Sequence, residues 1–189
     1  MRRGFKAWCE NTSLQYRKDL ELARIDPLKP LDLAGHIGVL VWKPEEIPGL
    51  DEDVLDQLLK RDPENWSALT IRMEGTDVII INSAHAPSRR ANSIVHEISH
   101  LILNHKAACV GYSEAGHLLL HSFDKNQEDE ADWLSGALLL PRDALVHVVT
   151  NGIDSAAAAK MYGVSRALFE WRRRMTGVDL QFSRRRSSS

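Results

Sequence analysis

At 189 residues, with 43% hydrophobic and 26% charged side chains, the chain has the length and balance of one globular domain able to bury a core. No apolar run approaches the roughly 20 residues of a membrane-spanning helix, and no apolar stretch follows the basic start Met1-Arg2-Arg3, so neither a helical span nor a secretory signal is expected. The net charge of −2 hides an asymmetry: residues 160–189 hold eight basic and two acidic side chains, +6, which leaves −8 on residues 1–159.

In chain order, the spacing of Trp8, Leu14, Leu20, Leu22 and Ile25 predicts a helix over 5–25, ended by Pro27 and Pro30. A helical turn at 31–36 precedes a strand at 37–42, and Val54, Leu55, Leu58 and Leu59 predict a helix over 51–60. Residues 68–73 and 77–81 read as a hairpin turning at Glu74-Gly75-Thr76, and the unbroken Val78-Ile79-Ile80-Ile81 run predicts a strand covered on both faces. A loop at 82–90 leads into a helix carrying His96-Glu97-Ile98-Ser99-His100. Residues 106–125 read as a loop with one short strand near Leu118-Leu119-Leu120, and 127–140 as a helix stopped by Pro141. Two further helices, 155–161 and 166–175, flank a turn at Gly163, and residues 181–189 read as a disordered, low-complexity basic tail.

Two cysteines, Cys9 and Cys109, far apart in sequence, form no metal-type pair and suit a reducing cytoplasm as small core residues. Metal ligands must therefore come from histidines and carboxylates. His96 and His100, one turn apart on a helix, present both imidazoles to one ion, and Glu97, about 100° round the axis, lies close enough to hold a water without ligating. Ile94, Val95, Ile98, Leu101, Ile102 and His105 project to the other, core side. A catalytic zinc site needs a third protein ligand. Glu128 and Asp132 share a face of the later helix, placed for a ligand and a carboxylate that orients a histidine; an acidic first turn complementing the helix dipole is the plainer reading, and the residues alone leave both open.

These segments resemble the ImmA/IrrE metallo-endopeptidases over roughly residues 60–178. The resemblance is carried by Ile81-Asn82-Ser83, by His96-Glu97-Ile98-Ser99-His100, and by Glu128-Asp129-Glu130-Ala131-Asp132 followed by Leu138-Leu139-Leu140-Pro141. Asp132 stands where the family pattern usually has Asn, Leu140 where it has Met, and Ala91-Asn92 where Arg-Phe is frequent. The resemblance implies an α+β, zincin-like (gluzincin) domain with a small, mainly antiparallel sheet. It implies Zn2+ held by His96, His100 and Glu128, Glu97 as general base, and Asp132 behind a ligand; Glu130 is the competing third ligand. It further implies a cytoplasmic endopeptidase whose substrate is an XRE-type helix-turn-helix repressor or an antitoxin, in a mobile-element, toxin–antitoxin or stress-response system.

An oxyanion donor is left unassigned among Tyr112, His117 and His121. The organisation expected is a peptidase domain over 1–150, a helix-turn-helix-like hairpin over 151–178 capped at Ser165, and a tail over 179–189. Arg172, Arg173 and Arg174 are the residues that would touch phosphates if the hairpin binds DNA. The competing function is a non-proteolytic regulator that docks a repressor or DNA around a structural or vestigial zinc site.

Overall fold

The computed structural model describes residues 2–73, 75–105, 109–112, 118–121 and 124–187. Its elements run α1 (Phe5–Asp19), α2 (Pro30–His36), β1 (Leu40–Trp42), α3 (Glu52–Asp56, continued by a wider helical turn at Gln57–Arg61), β2 (Ala68–Met73), β3 (Thr76–Ile81) and α4 (Pro87–Ile102). Then come β4 (Cys109–Tyr112), β5 (Leu118–His121), α5 (Lys125–Leu139), α6 (Arg142–Thr150), α7 (Ser155–Met161), α8 (Arg166–Thr176) and α9 (Val178–Ser187). The fold is α+β, as expected, and among the described residues no helix is long and apolar enough to cross a membrane.

The main sheet is mixed. Its strand order is β1-β3-β2, with β1 parallel to β3 (Leu40 opposite Val78) and β2 antiparallel to β3 (Thr70 opposite Ile79). Strand β3 lies in the middle with Val78 and Ile79, on opposite faces, both buried, as its unbroken apolar run predicts. Helix α4 packs against β2 and β3 on the face carrying Thr70, Ile79 and Ile81. Strands β4 and β5 form a separate antiparallel pair.

Helix α5 is the central core helix. Asp124 caps it, accepting from the Asn126 N–H, and from Ala131 onward nearly every side chain is buried, so it needs cover on all sides. Helices α1, α4 and α8 supply that cover. Gly136 marks the closest approach: a Cβ there would lie 2.8 Å from both Arg172 Cδ and Trp171 Cζ3. The carbonyls near its C-terminus are satisfied by side chains from two partners. Ser13 of α1 donates to Ala137 O at 2.7 Å, and Arg172 of α8 donates to Leu140 O through Nε at 3.1 Å and Nη2 at 3.0 Å.

Three expectations about helix extents are corrected. The first helix ends at Asp19, with Glu21 in a left-handed conformation behind it. Pro141 both closes α5 and opens α6 as its N-cap, so residues 142–150 form a helix that the reading of Pro141 as a stop passed over. Residues 178–187 are helical, so the disordered tail expected over 179–189 is replaced by helix as far as Ser187. Gly177, at φ 64, ends α8 in the left-handed region, Val178 is buried, and Arg173 clamps Asp179 at 2.7–3.0 Å.

The helix-turn-helix-like pair is present as α7 and α8, with Asp154 capping the first and Ser165 the second. Both helices belong to the same core cluster as α1, α4 and α5, through Ala158, Tyr162, Val164 and Phe169. Arg172 is withdrawn as a phosphate contact, because it is fully buried and its Nη2 lies 2.6 Å from Glu10 Oε1. Arg173 is engaged with Asp179, while Arg174 is exposed. Arg172→Ala leaves the Leu140 carbonyl and the Glu10 carboxylate short of a buried partner, so it is expected to destabilise the protein by roughly 3–5 kcal/mol in guanidinium unfolding. A loss below about 1 kcal/mol, the scale of an exposed ion pair, would contradict this assignment.

Candidate metal centre

Helix α4 enters at Pro87, whose fixed φ and missing N–H suit the first helical position. Ile94, Val95 and Ile98 are buried on its core side, which turns His96 and His100 toward the start of α5. Glu128, in the first turn of α5, meets them there. Glu128 Oε2 lies 3.2 Å from His96 Nε2 and 3.6 Å from His100 Nε2, and the two imidazole Nε2 atoms are 3.0 Å apart. The edge of a tetrahedron built on ~2.0–2.1 Å bonds is about 3.3 Å, so these three atoms already stand at the spacing that zinc requires. Among the described residues this is the group of side chains close enough to share an ion.

The other expected residues fall around this triad. Asp132 Oδ1 is 3.0 Å from His96 Nδ1, so the carboxylate holds the ring from behind while Nε2 faces the centre. Glu130, two residues beyond Glu128 and so about 200° round the helix, is outside the triad, with its Oε2 3.6 Å from His105 Nε2. Between the two carboxylates proposed as third ligand, the geometry brings Glu128 into the group. His105 does not continue the core face of α4, because the helix ends at Ile102 and His105 turns back to place Nδ1 3.0 Å from His100 Nδ1. His117 and the side chains of Tyr112 and His121 lie outside the described residues.

One residue of the site was missed by sequence reasoning. Thr70 on β2 donates from Oγ1 to Glu97 Oε2 at 2.5 Å, which holds the carboxylate over the sheet edge. The hairpin register contains that signal, since Thr70 lies opposite Ile79 on the face that α4 covers. Cys9 plays no part: it is buried and its thiol is pushed up to about 12, chiefly by burial.

The two imidazoles titrate in opposite directions. Burial disfavours the charged form of His96, but the hydrogen bond and charge of Asp132, with Glu97 and Glu128, outweigh it and raise its pKa. Burial and the neighbouring His96 charge lower that of His100. One ring therefore takes a proton first and suppresses protonation of the other.

The family model for peptidase M78, the IrrE N-terminal-like domain, matches residues 57–172. The chain belongs to this peptidase family. The matched span of the M78 domain contains Thr70, both histidines, Glu97, Glu128, Asp132 and the helices through Arg172. No match is found among curated proteins.

In the metal-free M78 domain, His96 is expected to titrate above the ordinary 6.5 and His100 below it when followed by NMR. The sign fixes the linkage: the stabilisation from charged His96 is complete below the unfolded value and is lost as pH rises through the raised folded value. Asp132→Asn should bring the His96 midpoint down; an unmoved midpoint would contradict the role of this carboxylate.

Proposed function

We propose that the chain is a zinc-dependent endopeptidase with a zincin-like (gluzincin) catalytic domain. The observation that carries this reading is the near-tetrahedral spacing of His96 Nε2, His100 Nε2 and Glu128 Oε2, with Glu97 beside them in a domain of a peptidase family. Zinc in this donor set supplies a Lewis acid that lowers the pKa of water towards ~7 and polarises the scissile carbonyl. Asp132 keeps His96 in the tautomer whose Nε2 lone pair faces the ion. Glu97, oriented by Thr70, accepts a proton from the attacking water and delivers it to the amine nitrogen as the C–N bond breaks, so that carboxylate and amine leave as products.

The substrate class in this proposal follows the resemblance: a helix-turn-helix repressor of the XRE type or an antitoxin, cut at a specific site in the cytoplasm. A docking regulator with a structural or vestigial zinc site is the alternative. It has no use for a carboxylate that sits beside the ligands without joining them and is fixed by a threonine from another element. Direct DNA binding through α8 is weakened further, since Arg172 faces the core and Arg173 is paired.

Glu97→Gln is expected to bind one zinc like the wild type and to cleave a helix-turn-helix repressor about 10²-fold more slowly or worse. Zinc stoichiometry and cleavage of a helix-turn-helix repressor that the wild type cuts, followed on gels, test this together. Wild-type cleavage by the variant would remove Glu97 from the mechanism and endopeptidase chemistry at this site with it.

A further inference from the structure

We infer that His105 is a positioning residue for His100, set in place by the left-handed turn that ends α4 and anchored behind by Glu130. The inference rests on reading His96, His100 and Glu128 as a metal site, and extends it to residues that touch no ion.

The helix end supplies the geometry. Asn104 has φ 51, a left-handed conformation that Asn tolerates better than most residues. Its N–H donates to Leu101 O at 3.1 Å, and the His105 N–H donates to His100 O at 3.0 Å. Together these bonds form a Schellman motif, in which the residue after the left-handed position folds back over the last full turn. The contact made there is usually apolar. Here it joins two imidazoles, with ring centroids 5.0 Å apart, an edge-on angle of 70° and Nδ1 atoms 3.0 Å apart.

Proton placement gives the contact its direction. An imidazole that offers Nε2 to a cation carries its proton on Nδ1. For His100 that proton points at His105 Nδ1, which must then be the acceptor. His105 in turn carries its own proton on Nε2, the atom facing Glu130 Oε2 at 3.6 Å. The opposite direction would leave the His100 proton on Nε2, where the ligand lone pair has to be. The side chains of His105 and Glu130 are only 8% and 14% exposed, so water competes poorly for these contacts. The two histidine ligands are thus held differently: His96 directly by a carboxylate, Asp132, and His100 through a second imidazole. Glu130 backs His105 at 3.6 Å, beyond direct hydrogen-bond range, and lies outside the group that includes Glu128.

Zinc affinity of the full chain, measured by competition with a chromogenic chelator, tests this without reference to activity. Wild-type protein that binds no zinc, or binds it equally well after His96→Ala, would overturn the metal site itself. With that site in place, His105→Ala is expected to weaken zinc roughly 10- to 100-fold. His105→Asn puts an amide oxygen near the position of Nδ1 and is expected to recover most of that loss. Glu130→Gln is expected to weaken zinc by less than His105→Ala. Unchanged affinity in His105→Ala overturns the inference, as does His105→Asn binding no better than the alanine variant. Should His105→Ala not fold, the comparison of His105→Asn with wild type decides: affinity within a few-fold supports the acceptor role, and a loss of 10-fold or more overturns it.

Discussion

The contact between helices α4 and α5 is the constraint on which the rest of the structure depends. One helix brings two imidazoles and the other brings carboxylates, and His96 stands between Glu128 at 3.2 Å and Asp132 at 3.0 Å. Like-charged carboxylates on one helix face repel, yet Glu128 and Asp132 flank a single ring whose two nitrogens separate them. The remainder of α5 is buried on nearly all sides, so its acidic first turn cannot slide relative to α4 without disturbing the core. Packing energy spent far from the site thereby fixes the spacing of three donor atoms.

The same principle governs the other end of α5. Ser13 and Arg172 reach its last carbonyls from α1 and α8, and Glu10 accepts from Arg172 through Oε1 while Oε2 accepts from the first N–H of α6 at 2.8 Å. One carboxylate on α1 therefore joins a helix start to a buried guanidinium. The basic character of the last 30 residues is partly consumed in this work, since Arg172 turns inward and Arg173 secures the entry to α9. A charge count over a segment says nothing about which cations remain outside.

Local patterns were legible in the sequence, and long-range ones were not. The hairpin of β2 and β3, the motif helix and the cap at Ser165 depend on neighbours within a few residues, and periodicity revealed most of them. Glu128 and Asp132 were legible as a pair because i, i+4 spacing sets a shared face. The inward turn of Arg172 was not, since its partner Glu10 is 162 positions away. Nor was α9, whose Arg- and Ser-rich end has no apolar period and is held by burial of Val178 and the clamp on Asp179. His105 shows a subtler failure: projecting it along α4 assumed that the helix continued, whereas the left-handed Asn104 reverses its direction and moves it from the core face to the site.

Zinc K-edge X-ray absorption on the zinc-loaded chain measures the donor set directly. The account predicts two imidazole nitrogens with oxygen donors, all at roughly 2.0–2.1 Å, and no sulfur shell. A sulfur shell near ~2.3 Å, or scattering from only one imidazole, would contradict the assignment of the centre to His96, His100 and Glu128.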